Sequence, residues 1–206
     1  MSIVADGIRY AVGSVLGGLL AAWLTGQPLT AVPFFVFATF CLWFFRDPER
    51  VIPEGPVAVS PADGKVMAVK MEEGRTRISI FLNVFDVHVN RTPVGGKITS
   101  VRYKRGDFLV ASKESASSQN EQNVVTVRLD DGVEVTFKQI AGLIARRIVF
   151  NRAEGETLRS GERIGMMKFG SRMDVLLGTE WNVLVKPGER VIAGTSLLAR
   201  RKDIAG

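Results

Sequence analysis

The sequence is poor in the side chains that metal sites and many active sites require. Its 206 residues include one cysteine, Cys41, and one histidine, His88. A single cysteine excludes an intrachain disulfide and a cysteine-based zinc cluster, and a metal hydrolase needs several imidazoles or a carboxylate-rich substitute. We therefore predict no metal site, and we expect the chemistry to use a group other than the encoded side chains.

Acidic residues are outnumbered by basic ones. The chain has 27 Lys and Arg against 21 Asp and Glu, which gives a formal net charge of +6. This excess indicates an anionic partner, either a nucleic acid or an acidic membrane surface. The apolar N-terminal sequence favours the membrane, so we predict a phospholipid partner and no nucleic acid.

Two apolar runs open the chain, at residues 11–24 and 29–45, with a Thr-Gly-Gln-Pro turn between them at residues 25–28. They predict a helical membrane hairpin within residues 1–50. Each run is shorter than the roughly 20 residues that cross a bilayer without strain, so a spanning hairpin and one in a single leaflet are both open. A buried hairpin in a soluble core is the alternative, and a cleaved signal peptide fits less well.

Aromatic residues gather where the second run ends, at Trp43, Phe44 and Phe45, and basic residues follow at Arg46 and Arg50. Aromatic belts followed by arginines are typical of a membrane interface with the next segment on the cytoplasmic side. We predict a cell-membrane protein whose second domain lies on the cytoplasmic face.

From residue 51 onward, short alternating runs predict a mainly β domain of the barrel or sandwich-hybrid type over residues 51–206. The clearest pattern is a hairpin in which residues 124–129 and 133–138 flank an Asp-Gly turn. Residues 112–123 are polar and predict a loop. The other candidate strands are residues 65–71, 77–84, 97–103, 164–167 and 175–177.

Three short segments contain residues that could perform chemistry. Asp63 stands in a Pro-Ala-Asp-Gly sequence, where a turn residue is the simpler interpretation. His88 is either a packed structural residue or the proton-exchanging group that neutral-pH catalysis needs. Ser171 follows Gly170 between two apolar runs, and a glycine there could adopt the strained backbone that lets the hydroxyl reach the preceding carbonyl.

Taken in order, these segments resemble the phosphatidylserine decarboxylase proenzyme family in its short form. The resemblance covers most of the chain after the apolar runs. The matching segments are Phe44-Phe45-Arg46-Asp47-Pro48, Ser60-Pro61-Ala62-Asp63-Gly64, Asp86-x-His88 and Phe169-Gly170-Ser171.

The resemblance implies self-cleavage between Gly170 and Ser171, which gives a β chain of residues 1–170 and an α chain of residues 171–206. It implies a covalent pyruvoyl cofactor made from Ser171, with Asp63, His88 and Ser171 as the processing triad. The implied reaction converts phosphatidylserine to phosphatidylethanolamine. The two chains are expected to remain associated, and a homodimer is the assembly that the resemblance suggests.

The chain departs from the family pattern at two positions. Long forms have a second histidine three residues after the first, and Arg91 stands at that position here. The common Leu-Gly-Ser-Thr sequence is Phe-Gly-Ser-Arg, which adds Arg172 and raises the hypothesis that this arginine lies near the lipid head group.

Two other classes of protein remain as alternatives. Met166-Met167-Lys168 resembles the modified hairpin of a biotinyl or lipoyl carrier domain, with Lys168 as the acceptor. A non-catalytic basic membrane adaptor would explain the apolar runs and the charge, but it leaves the ordered Asp, His and Gly-Ser segments without a function.

Overall fold

The structure is a computed structural model that describes residues 2–143 and 147–202. The chain divides into two compact units between Glu49 and Arg50. Each unit is described by itself below.

The first unit is a helical hairpin. Its elements are β1 (Ser2–Ile3), α1 (Ala5–Thr25), a 3-10 turn (Pro28–Ala31), α2 (Val32–Phe44) and β2 (Arg46–Asp47), and β1 pairs with β2. Gly26 ends α1 with φ 68°, a left-handed conformation in which glycine carries no Cβ penalty. The predicted turn at residues 25–28 is therefore confirmed.

The first helix is longer than the apolar run that predicted it. It begins at Ala5 and spans 21 residues, and so includes the charged Asp6 and Arg9, which precede the apolar run. By length and composition it could cross a membrane. Small residues form the contact between the two helices, whereas Leu16 is 61% exposed and Trp23 77% exposed. The hairpin thus leaves an apolar outer surface uncovered within its own unit.

The described residues of the second unit form mostly antiparallel β-structure and one short helix. Its elements are β3 (Val57–Val59), β4 (Gly64–Glu72), β5 (Arg75–Leu82), β6 (Val89–Arg91), β7 (Gly96–Lys104), α3 (Ala116–Gln119), β8 (Gln122–Arg128), β9 (Glu134–Ile140), β10 (Ile148–Phe150), β11 (Thr157–Leu158), β12 (Arg163–Met167), β13 (Ser171–Leu177), β14 (Trp181–Val183), β15 (Arg190–Val191) and β16 (Leu197–Arg201).

The largest sheet has eight strands in the order β11-β7-β8-β9-β13-β5-β4-β15. Two three-stranded sheets accompany it, β10-β12-β6 and β14-β16-β3. The chain is about 40% strand and 21% helix, with a curled eight-stranded sheet, so the mainly β fold class is confirmed.

Alternation along β13 separates two environments. Met173, Val175 and Leu177 face the apolar core and are fully buried. Because successive side chains of a strand point to opposite faces, Arg172 and Asp174 lie on the other face. Ser171, two residues before Met173, is placed at the start of β13 on the side of the apolar core.

The predicted hairpin of β8 and β9 is confirmed, with Arg128 opposite Glu134 at its turn end. The prediction of a loop over residues 112–123 is wrong in part. A short helix, α3, occupies residues within it, and β8 begins at Gln122. Polar composition did not reveal this helix, because it is held by contacts to distant strands and not by an apolar stripe of its own.

Candidate active site

Ser171 is the first residue of β13, in the middle of the large sheet. β13 pairs with β5 on one side, where Ser171 is opposite Leu82, and with β9 on the other, where Arg172 is opposite Ile140. The serine is fully buried, and its Oγ has no hydrogen-bond partner among the residues described. A buried hydroxyl with its hydrogen-bonding capacity unused is uncommon, and it calls for a chemical or structural reason.

The backbone just before Ser171 is strained, but not where the sequence suggested. Phe169 has φ 68°, whereas the φ of Gly170 is not positive. A bulky residue in the left-handed region costs on the order of 1–3 kcal/mol and persists only where the surroundings enforce it. The strain therefore precedes the predicted cleavage site by one residue, and the expectation of a strained Gly170 gives way to a strained Phe169.

His88 is fully buried and lies beside the strand that leads to Ser171. Its carbonyl oxygen accepts a hydrogen bond of 3.2 Å from the Met167 backbone N–H, next to the pairing of β6 with β12. Met167 is four residues before Ser171, so the fold brings these two predicted site residues into one region. The Ser171 hydroxyl does not hydrogen-bond to the imidazole in this state.

Arg91 follows in β6 at the position where long forms have a second histidine. It is buried, and its Nη1 donates a hydrogen bond of 3.0 Å to the Gly161 carbonyl. A guanidinium cannot act as a base near neutral pH. Its observed contact gives Arg91 the role of fixing a neighbouring turn.

Asp63 lies in the connection between β3 and β4. The Nη2 of Arg50 lies 3.0 and 2.9 Å from its two carboxylate oxygens, and the Ala193 N–H donates to Oδ1 at 2.8 Å. The Arg91 N–H donates to the Pro61 carbonyl at 2.9 Å, which joins the Asp63 segment to the strand after His88. Sequence analysis did not identify Arg50 as the partner of Asp63, because it had assigned Arg50 to the membrane interface.

A buried polar network covers the other face of β13. Arg172 donates from Nε to Asp174 at 2.6 Å, from Nη2 to the Ser79 hydroxyl at 2.7 Å and from Nη1 to the Lys113 carbonyl at 3.2 Å. Both Arg172 and Asp174 are fully or almost fully buried. With its guanidinium bound in this network, Arg172 does not reach out to a lipid head group, and that hypothesis is not supported by the structure.

Arg77 and Ser117 complete the network around Asp174. The Ser117 hydroxyl donates to Asp174 Oδ2 at 2.5 Å, and Arg77 Nη1 lies 3.7 Å from the same oxygen. The sequence did not single out these residues. For Arg77 the available signal was the alternation of polar and apolar residues along β5, whereas Ser117 lies in α3 and gave no such signal.

The ionisation of this network follows from its contacts. Burial alone raises the pKa of Glu114, but the hydrogen bond and charge of Arg77 outweigh it, so the pKa is lowered from its ordinary value. Burial lowers the pKa of Arg77, and Asp174, Glu114 and Glu72 together raise it above the ordinary value. Arg77 and Glu114 therefore form a charged pair at neutral pH.

Lys168 does not have the exposure that a carrier lysine needs. It is buried directly after β12, between Met167 and the Phe169 turn. A modified lysine must extend to partner enzymes, so the burial of Lys168 counts against the carrier alternative.

Comparison with known sequences identifies the class of protein. The sequence model of the phosphatidylserine decarboxylase family matches residues 37–199, a span that includes Asp63, His88 and Ser171. The chain belongs to the phosphatidylserine decarboxylase family. The adaptor alternative, which required a non-catalytic protein, is excluded by this membership.

The relatives extend the match to nearly the whole chain. A protein of Solibacter usitatus named phosphatidylserine decarboxylase proenzyme is 63% identical over 203 residues, which cover 98% of each chain. A protein of the same name from Syntrophus aciditrophicus is 45% identical and covers 95% of this chain and 96% of its own. One from Saccharopolyspora erythraea is 42% identical, over 93% of this chain and 78% of its own.

Proposed function

We propose that this chain is a proenzyme that cleaves itself between Gly170 and Ser171 and then decarboxylates phosphatidylserine to phosphatidylethanolamine with a pyruvoyl group derived from Ser171. The observation that carries the proposal is the Ser171 hydroxyl, which is buried directly after a strained turn and has no hydrogen-bond partner within residues 2–143 and 147–202. The family membership and the proenzyme names of the relatives support the same reaction.

The cleavage step requires a nucleophile and a base. Ser171 Oγ attacks the Gly170 carbonyl carbon, the C–N bond breaks, and the proton moves to the released amine, which leaves an ester. Loss of the Ser171 Cα proton expels the Gly170 carboxylate, and water then releases ammonia and leaves the ketone. In this proposal His88 accepts the proton of the Ser171 hydroxyl and passes it to the released amine.

Asp63 is proposed to orient the imidazole of His88 and to stabilise its protonated form. A carboxylate offers about four acceptor positions, so its contacts with Arg50 and the Ala193 N–H leave capacity for another donor. Catalytic hydrogen bonds are often long before the reaction begins and shorten as it proceeds.

The residues around Ser171 fit a pyruvoyl group. Ser171 is fully buried, and its Oγ has no hydrogen-bond partner among the described residues, so its departure with the Gly170 carboxylate would break no hydrogen bond seen here. The ketone, whose oxygen comes from water, would keep the three carbon atoms of Ser171 at the same buried position. A bound pyruvoyl group supplies an electron sink for the carbanion that decarboxylation produces. His88 is the residue proposed to return the proton.

The sheet pairing explains how the two chains would remain together after cleavage. Residues 171–206 contribute β13, which lies between β5 and β9 of the larger chain. β15 pairs with β4, and β16 pairs with β3. Breaking one peptide bond leaves all of these hydrogen bonds and the shared core intact.

The purified wild-type protein is expected to convert phosphatidylserine in mixed vesicles to phosphatidylethanolamine and CO2. Pretreatment with hydroxylamine followed by desalting is expected to abolish this activity, because the reagent consumes an essential ketone. Lipid chromatography and CO2 release measure the two products. Activity that survives complete carbonyl modification would contradict the pyruvoyl mechanism.

The hairpin of α1 and α2 is proposed to hold the enzyme at the cell membrane, with the second unit on the cytoplasmic face. Its exposed apolar surface and the stacking of the Arg46 guanidinium 4.3 Å from the Trp43 ring centroid support an interfacial position. The homodimer suggested by the family resemblance stays a prediction, and light scattering in detergent would test it.

Leu16→Arg is expected to weaken binding to neutral phosphatidylcholine vesicles roughly 100-fold, since a charge at the centre of a membrane helix costs about 3 kcal/mol. Vesicle flotation measures the partition. Met71→Arg is the matched control, because Met71 is also exposed but lies in the second unit. Equal flotation of the two variants would contradict a membrane role for the hairpin.

A further inference from the structure

We propose that Gly142 is a positioning residue for the self-cleavage step, in which its bare Cα fixes the Gly170 carbonyl that Ser171 attacks. This inference rests on the proposed function, and it names a residue that lies outside the predicted triad. The register of the sheet is its first support. Arg172 of β13 is opposite Ile140 of β9, so continuing the antiparallel ladder by two residues sets Gly142 opposite Gly170.

The close approach of the two backbones is the second support. A Cβ on Gly142 would lie 2.0 Å from the Gly170 carbonyl oxygen and 3.2 Å from the Cβ of Ala111. The φ of Gly142 is not in the left-handed region. Glycine is therefore required at this position by the nearness of the carbonyl oxygen and not by the backbone conformation of Gly142.

The scissile glycine itself shows the opposite situation. Apart from its chain neighbours, no atom of the described residues lies within 4 Å of a Cβ built on Gly170. Among these residues, the tight packing is thus on the oxygen side of the Gly170 carbonyl, against Gly142, and not at its Cα. Contact on the oxygen side limits rotation of the Phe169-Gly170-Ser171 peptide planes.

The orientation of this carbonyl decides the rate of the first step. As the Ser171 Oγ–C bond forms, the carbonyl oxygen gains charge and moves, and the C–N bond then breaks to give the ester and the free amine. Attack requires the hydroxyl within about 3–3.5 Å of the carbonyl carbon in the right direction, and a displacement of about 1 Å can cost roughly 100-fold. A methyl group at residue 142 forces such a displacement, because a backbone carbonyl oxygen cannot move away unless its whole peptide plane moves.

The test is the rate of self-cleavage of Gly142→Ala, followed by denaturing gel during cell-free synthesis of the full chain. We expect cleavage to be slowed roughly 10- to 100-fold relative to wild type. Hydroxylamine, which cleaves esters, is expected not to restore it, because the variant is impaired before the ester forms. Cleavage within about twofold of wild type, or full restoration by hydroxylamine, would overturn the proposal.

Two control variants separate positioning from general damage. Gly13→Ala adds a Cβ with no neighbouring side chain or distant backbone atom within 4 Å in the described part of the chain. Gly96→Ala adds one 2.3 Å from the Arg128 carbonyl oxygen, away from Ser171. Thermal unfolding in a Ser171→Ala background measures the stability cost of each change. Gly96→Ala is expected to destabilise the protein at least as much as Gly142→Ala, yet its folded fraction should cleave at the wild-type rate. If Gly96→Ala slows cleavage as much as Gly142→Ala does, the proposal fails.

A compensating change covers the case in which Gly142→Ala does not fold. Ala111→Gly removes the second atom that the new methyl would meet, so the segment at residue 142 can move back. The double variant is expected to fold and to cleave more slowly than Ala111→Gly alone, and equal rates would overturn the proposal. A wild-type chain that never cleaves would instead refute the proposed function itself.

Discussion

Replacing Ser171 with alanine is expected to leave the 206-residue chain intact and to abolish phosphatidylserine decarboxylation. The serine supplies both the nucleophile for cleavage and the carbon atoms of the pyruvoyl group, so its loss removes two steps at once. We expect activity to fall by a factor of about 1,000 or more, to the background of the assay. A denaturing gel and the lipid assay measure the two effects on one preparation.

Ser160→Ala is the matched control for this experiment. Ser160 Oγ is also buried without a hydrogen-bond partner among the described residues, but it lies outside β13, just before Gly161. Its removal is expected to leave cleavage and activity unchanged. A Ser171→Ala chain that still separates into two fragments would show that another residue, or an external protease, breaks the chain.

Replacing Asp174 with alanine is expected to be among the most destabilising single changes on the outer face of the sheet. Asp174 is fully buried, and its carboxylate compensates Arg172 at 2.6 Å and Arg77 at 3.7 Å. Breaking a buried ion pair by removing one partner costs about 3–5 kcal/mol, because the remaining charge stays buried without compensation. Urea unfolding of Ser171→Ala/Asp174→Ala against Ser171→Ala measures this cost on uncleaved chains.

Glu134→Gln provides the comparison at the surface. Its pair with Arg128 is exposed on both sides, at a distance of 2.8 Å, and such pairs contribute about 0–1 kcal/mol. We expect its effect on the free energy of unfolding to be several times smaller than that of Asp174→Ala. Equal losses of unfolding free energy in the two variants would mean that the network around Asp174 is accessible to water.

The local parts of this fold could be predicted from the sequence. The β8–β9 hairpin follows from alternation around an Asp-Gly turn, and the strands of β4, β5, β7, β12 and β13 follow from short apolar runs. The central position of β13 between β5 and β9 could not be predicted. Those partners are distant in sequence, and the local pattern of apolar residues does not specify which strands pair.

The sequence proposes the residues of the candidate site but not their arrangement. Ser171, His88 and Asp63 stood out through the family resemblance. The pairing of Asp63 with Arg50 depends on how distant loops meet, and so does the burial of Arg172. Gly142 carried no chemical signal at all, since a glycine within a short apolar run, here between Ala141 and Leu143, has many ordinary explanations.

The proposed mechanism requires that the peptide bond between Gly170 and Ser171 breaks and that Ser171 becomes a pyruvoyl group. Intact mass spectrometry of the purified wild-type protein tests this requirement most directly. We predict two chains, residues 1–170 and residues 171–206, with the smaller one lighter by one ammonia than the same peptide with an N-terminal serine. One undivided chain, or a smaller fragment that begins with unmodified serine, would contradict the mechanism.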